Sequence, residues 1–208
     1  SFLKVIKRWV LFLVLCLPSG ITFGQEAGLS RFHQWAVGDL SALGSVIGQD
    51  PLKLVVPSLT LLIPVAIFDE HLSQRAVNVG TNPFLDTVNK LGSPIMTPLT
   101  AGIFAASLFT SDSKLQDTAF TSFESLVYAG SITAIFKYSL GRIRPERDQG
   151  GFHFRSFSGH SSFPSGHTTA AFAILSPWVF YYPHPVTYSL FAVASATGLA
   201  RIYKKKHW

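Results

Sequence analysis

Charge is what this sequence has least of. Asp, Glu, Lys and Arg make up 13% of its 208 residues, against roughly 25% in soluble domains. The mean hydropathy is +0.32, and the balance leans toward a membrane protein. Acidic residues are the scarcer sign, 11 against 17 Lys and Arg, for a formal charge of +6. There is one cysteine, Cys16, which excludes an internal disulfide and any cysteine-based zinc site. No internal repeat or low-complexity tract is evident, and no stretch shows sustained strand alternation.

What is present is a series of modest apolar segments: Leu54–Phe68, Ile95–Thr110, Ala119–Leu140, Thr168–Tyr182 and Val186–Ala200. Each lies near the lower length limit for crossing a bilayer. The breaks between them are turn-like, at Asn82-Pro83, Gly92-Ser93-Pro94, Ser111-Asp112 and Pro183-His184-Pro185. The pattern predicts an all-α helical bundle, membrane-embedded, with a soluble periplasmic bundle as the alternative. Glu124 lies inside the third segment; at membrane depth it would face the bundle interior, and in a soluble bundle it would be exposed. Residues 1–24 read as an export signal. Lys4, Lys7 and Arg8 precede the apolar run Trp9–Leu17, which Pro18, Ser19 and Gly20 then break. Residues 25–208 then form one domain, opening with a short amphipathic helix at Phe32–Ile47.

The densest chemistry runs from Lys137 to His167. Lys137 is followed by six residues and then Arg144-Pro145; a Gly- and Ser-rich loop leads to Pro164-Ser165-Gly166-His167. On one helix, Lys137 and Arg144 would share a face about 10 Å apart along the axis. The residue before a proline leaves helical geometry, which predicts a helix end at Arg144. Ser165 reads as an N-cap, and Gly166 lets backbone approach an anion at the free N–H groups of the first turn. His167 beside bound phosphate is a proton donor candidate. Arg142, Arg147 and Arg155 surround this stretch. The run Lys204–Lys206 reads as a solvated or lipid-headgroup-facing loop, so the basic balance does not require nucleic acid.

A third piece stands near the end, where Arg201 is followed by five residues and His207. Together, Lys-x6-Arg-Pro, Pro-Ser-Gly-His and Arg-x5-His resemble the type-2 phosphatidic acid phosphatase superfamily. That superfamily holds membrane lipid phosphatases, bacterial acid phosphatases and vanadium haloperoxidases. The resemblance covers roughly the second half. Ala200 stands where the family commonly has serine, and the family's aspartate four positions after the histidine would fall beyond Trp208. The expectation is therefore of a chain continuing past Trp208 into that aspartate and a final helix.

The resemblance implies a metal-independent phosphatase of a lipid phosphate or diphosphate, with no cofactor. Undecaprenyl diphosphate, phosphatidic acid and phosphatidylglycerol phosphate are examples of such substrates. His207 would be the nucleophile that forms a phosphohistidine, and His167 would protonate the leaving group. Lys137, Arg144, Ser165, Gly166 and Arg201 would hold the phosphate. The family usually has its site on the extracytoplasmic face. The alternatives are a soluble periplasmic acid phosphatase, a haloperoxidase, and a non-catalytic membrane protein that binds phosphate headgroups. Of the other histidines, His33, His71 and His184 read as surface residues, while His153 and His160 flank the site loop. Phe152, Phe154, Phe157 and Phe163 read as anchors holding that loop in the bundle.

Overall fold

The computed structural model of the chain describes residues 26–49, 83–90, 93, 95–147, 149, 152–158 and 162–207. The export signal at 1–24, the Leu54–Phe68 segment, His71 and His160 lie outside the described residues. Contacts divide the chain between Gln49 and Asp50, so the domain expected over 25–208 has its first helix in a separate unit. That helix, α1, is Glu26–Gln49 and extends the expected Phe32–Ile47 at both ends. Within it, Phe32 is buried and meets the Trp35 ring edge-on at 5.8 Å.

The described residues of the second unit form five α-helices: α2 Pro83–Asn89, α3 Met96–Ser107, α4 Ser113–Leu140, α5 Gly166–Tyr181 and α6 Pro185–Tyr203. The class is all-α. α2 arises where a break had been expected, because Pro83 supplies a preset φ at a first helical position that needs no N–H donor. Among the described residues, only α4 is long and apolar enough to cross a membrane. At 12 and 16 residues, α3 and α5 are shorter than the roughly 20 residues a bilayer core requires.

α4 is the central helix, packed against α3 on one side and α5 on the other. Asp112 caps its start, its carboxylate accepting from the Leu115 N–H at 3.0 Å. Phe104 holds α3 to it through Phe120 and Phe123, with ring centroids 5.2 and 6.4 Å apart. The face toward α5 is small and polar. Ser122 Oγ donates to the Ile174 carbonyl at 3.1 Å, and Thr133 Oγ1 donates to Thr169 Oγ1 at 3.1 Å. Glu124 is turned inward and only 9% exposed, which removes the surface reading of that residue. Ala171, Ala194 and Ala200 are fully buried, so the helices approach closely where no large side chain intervenes. α6 packs on α5 and on α2, and Thr197 Oγ1 donates to the Val88 carbonyl at 3.1 Å. His184 caps α6, its Nδ1 accepting from the Val186 N–H at 3.2 Å, in a capping box with Thr187.

The end of α4 differs from the sequence reading. The helix stops at Leu140, not at Arg144, because Gly141 takes the left-handed conformation at φ 60° and its N–H closes on the Lys137 carbonyl. Lys137 and Arg144 therefore share no helix face; the chain turns between them. Gly141 also gives its carbonyl to the Arg155 N–H at 2.9 Å, and Ile143 N–H donates to the His153 carbonyl at 2.9 Å. The site loop is thus fastened by its backbone. Phe152, Phe154 and Phe157 are 68%, 47% and 64% exposed, so they do not anchor it, although Phe157 meets the Tyr138 ring at 5.1 Å.

A Cβ on Gly141 would stand 1.9 Å from the Arg155 carbonyl oxygen, in a backbone region that costs other residues about 1–2 kcal/mol even without a clash. Gly141→Ala should lose more than about 2 kcal/mol of stability, and Asp112→Ala about 1 kcal/mol. Equilibrium denaturation checks both; an unchanged Gly141→Ala would contradict this turn.

Candidate active site

Ser165 opens α5 in extended geometry, and its Oγ accepts from the Thr168 N–H at 3.4 Å and the Thr168 hydroxyl at 2.9 Å. This leaves Gly166 and His167 in the first turn, where backbone donors are unsatisfied by the helix. The Lys137 side chain reaches this turn from the last turn of α4; a Cβ on Gly166 would lie 3.5 Å from Lys137 Cε. That is ordinary van der Waals contact, which places the lysine stem directly against the α5 backbone. The closer approach is at Gly198 on α6, where a Cβ would stand 3.3 Å from Thr168 Cγ2.

The third piece is delivered by an abrupt reversal. α6 ends at Tyr203, Lys205 adopts a left-handed φ of 52°, and the Arg201 carbonyl accepts both Lys206 N–H at 3.1 Å and His207 N–H at 3.3 Å. The turn brings His207 inward, where it is 5% exposed. Its Nδ1 bonds the Ser162 carbonyl. A carbonyl only accepts, so Nδ1 carries the proton and Nε2 keeps its lone pair. Ser162 is itself fixed: its N–H donates to the Arg142 carbonyl and its Oγ to the Ile143 carbonyl, both at 2.9 Å.

Electrostatics show how tightly these groups are gathered. Burial, opposed by the Ser162 bond and aided by the charges of Lys137, Arg201 and Arg144, pushes His207 down to about 3. Burial and the charges of Arg201, Lys137 and Lys204 push His167 down to about 4. Both imidazoles therefore lie in the field of Lys137 and Arg201, and both are neutral near pH 7. Arg201 donates from Nη1 to Asn89 Oδ1 at 3.3 Å, and its Nε is buried with no partner among the described residues. A buried donor of that kind is costly unless a ligand meets it.

Three participants were not singled out from the sequence. Asn89 on α2 orients Arg201 from 112 positions away, and no local pattern announces such a pair. Ser162 acts through its carbonyl, which every residue possesses. Glu146 gave a signal, an acid directly after Arg144-Pro145 in a basic loop. It contacts Arg144 and Lys206, while Lys204 pairs with Asp86 at 2.6 Å. The lysine run is therefore partly tied down rather than freely solvated. Arg142 is buried, whereas Arg147 and Arg155 are exposed, as is His153.

The model of the PAP2 superfamily matches residues 118–208. A lipid A 1-phosphatase of Rhizobium johnstonii is 34% identical over 91 residues, which are 41% of this chain and 37% of that protein. Its counterpart in Rhizobium etli is 33% identical over 91 residues, covering 41% and 39%. One from Porphyromonas gingivalis is 35% identical over 82 residues, covering 38% and 16%. The chain thus spans well under half the length of the curated relatives it matches. No solved structure matches it significantly. The stretch that matches the superfamily model contains Lys137, Arg144, the Pro-Ser-Gly-His turn, Arg201 and His207.

Proposed function

We propose that the chain hydrolyses a lipid phosphate or diphosphate through a phosphohistidine, without a metal. The observation that carries this reading is His207: a neutral imidazole whose Nε2 lone pair is set free by the Nδ1–Ser162 bond, in the field of Lys137, Arg144 and Arg201. The three cations would neutralise the equatorial oxygens of the phosphoryl group, and Ser165 with the Gly166 N–H would add hydrogen bonds. His207 Nε2 attacks phosphorus in line with the leaving oxygen. A P–N bond forms as the P–O bond breaks, and His167 gives its proton to the departing oxygen. Water then attacks the phosphohistidine, His167 accepts the proton, and His207 departs with inorganic phosphate released.

The relatives' name makes the 1-phosphate of lipid A a substrate to test beside undecaprenyl diphosphate, phosphatidic acid and phosphatidylglycerol phosphate. A membrane setting is supported by α4 and by large apolar side chains left outside the bundle, among them Phe109, Phe180 and Val186. The reading places the site at the extracytoplasmic surface.

Activity in detergent should survive EDTA and be inhibited by vanadate, which takes up the five-coordinate geometry of the reacting phosphorus. His207→Ala should lower turnover at least about 1,000-fold, of the order of removing a nucleophile, and abolish acid-labile labelling by phosphorylated substrate. Activity lost to EDTA and restored by magnesium or zinc would contradict the mechanism.

The depressed histidines give a second test. A bound dianion offsets the field of Lys137 and Arg201, so His167 rises toward its usual range and takes up the proton it gives to the leaving oxygen, while His207 stays neutral with its Nε2 lone pair available. Phosphate binding should therefore be accompanied by net proton uptake near pH 6.5, read by calorimetry in buffers of different ionisation enthalpy. The sign for stability follows from the same shifts. The unfolded histidines protonate near 6.5 and the folded ones only at about 4 and about 3, so stability is fully present above 6.5 and falls as pH drops below it. Phosphate should lessen that loss; absence of any proton uptake would oppose the assignment.

A further inference from the structure

The acidic partner of the site, Glu146, suggests how a bound anion gets out again. Glu146 sits in the short 3₁₀ turn Pro145–Arg147, which the Arg147 N–H closes on the Arg144 carbonyl at 3.1 Å. Its carboxylate is divided between two cations from distant segments. Oε1 lies 3.6 Å from Arg144 Nη1, and Oε2 bonds Lys206 Nζ. Arg144 belongs to the phosphate-binding set, and Lys206 immediately precedes His207. The three side chains are 36–38% exposed, so solvent and ligand can both reach them. Ion pairs of this exposure are weak and readily exchanged. A phosphoryl dianion offers the same cations twice the charge and more acceptor oxygens.

We propose that Glu146 is a competing carboxylate, which holds Arg144 and Lys206 in the free protein, yields both to an entering phosphoryl group and takes them back as phosphate leaves. It thereby sets the affinity for anions and the speed of product release, and Lys206 becomes a further cation of the phosphate site. The proposal rests on the phosphatase reading. Its physical content is a balance of charge. With Glu146 in place, the mutual repulsion of the cations is eased when no anion is bound, and the gain from binding one is correspondingly reduced. The hydrogen bond from Lys206 lowers the carboxylate from its ordinary value, so the competitor stays ionised at neutral pH.

The test is calorimetric titration of inorganic phosphate into the full chain at physiological salt, with turnover measured in parallel. Glu146→Gln keeps the shape and removes the charge; it should tighten phosphate about five- to tenfold and strengthen product inhibition, the scale of one partly screened charge acting on a dianion. Lys206→Gln should move affinity the other way, weakening phosphate about threefold or more. A Glu146→Gln protein that binds phosphate no more tightly than the unsubstituted chain overturns the proposal, as does a Lys206→Gln protein with unchanged affinity. If the unsubstituted chain binds phosphate no better than Arg144→Ala, the phosphate-site reading itself fails and takes this inference with it. That outcome is distinguishable, because it concerns the parent and not the Glu146 variant.

Discussion

Lys137, Arg144 and Arg201 repel one another, and the fold exists to hold them together around two imidazoles. Each comes from a different place: the last turn of α4, the loop that follows it, and the last turn of α6. What opposes their repulsion is distributed rather than local. Asn89 holds Arg201 from α2, Glu146 stands beside Arg144, and the α4–α5 hydrogen bonds of Ser122 and Thr133 keep the lysine near the Pro-Ser-Gly-His turn. A cluster of like charges assembled this way is pre-arranged for an anion, because the protein has already met the cost of gathering it. The two histidines register that state directly, in their resistance to protonation.

The support extends past the stretch that matches the superfamily. The match begins at residue 118, yet Asn89 and Asp86 lie on α2, well before it, and both reach the segment around Arg201 and Lys204. Family motifs mark the atoms that would touch phosphate. The residues that aim those atoms are drawn from a neighbouring helix whose sequence carries no such mark.

This separation explains what could be read from the sequence. Helix content was legible because apolar segments bounded by Asp112, Ser165 and Pro185 announce starts by capping chemistry. The candidate site residues could be named because charge and glycine stand in short motifs of fixed spacing. The end of α4 was not: Pro145 predicts a stop at Arg144, and Gly141 comes before it in the chain. Gly141 ended the helix first, since its left-handed turn also hands its carbonyl to Arg155. The loop phenylalanines misled in the opposite direction. Aromatic residues normally mean burial, but here backbone hydrogen bonds hold the loop and leave the rings outside. Asn89 and the Ser162 carbonyl could not be read at all, because their roles depend on separations of 112 and 45 positions.

The Ser162 contact has a further implication. In many hydrolases a side-chain carboxylate fixes the tautomer of the working histidine, and one substitution can delete it. Here the acceptor is a main-chain oxygen. No replacement of residue 162 removes that oxygen; it can only be displaced by moving the strand of chain that bears it. The Nδ1-protonated form of His207 is in this sense written into the path of the backbone, which the bonds of Ser162 to the Arg142 and Ile143 carbonyls hold in place.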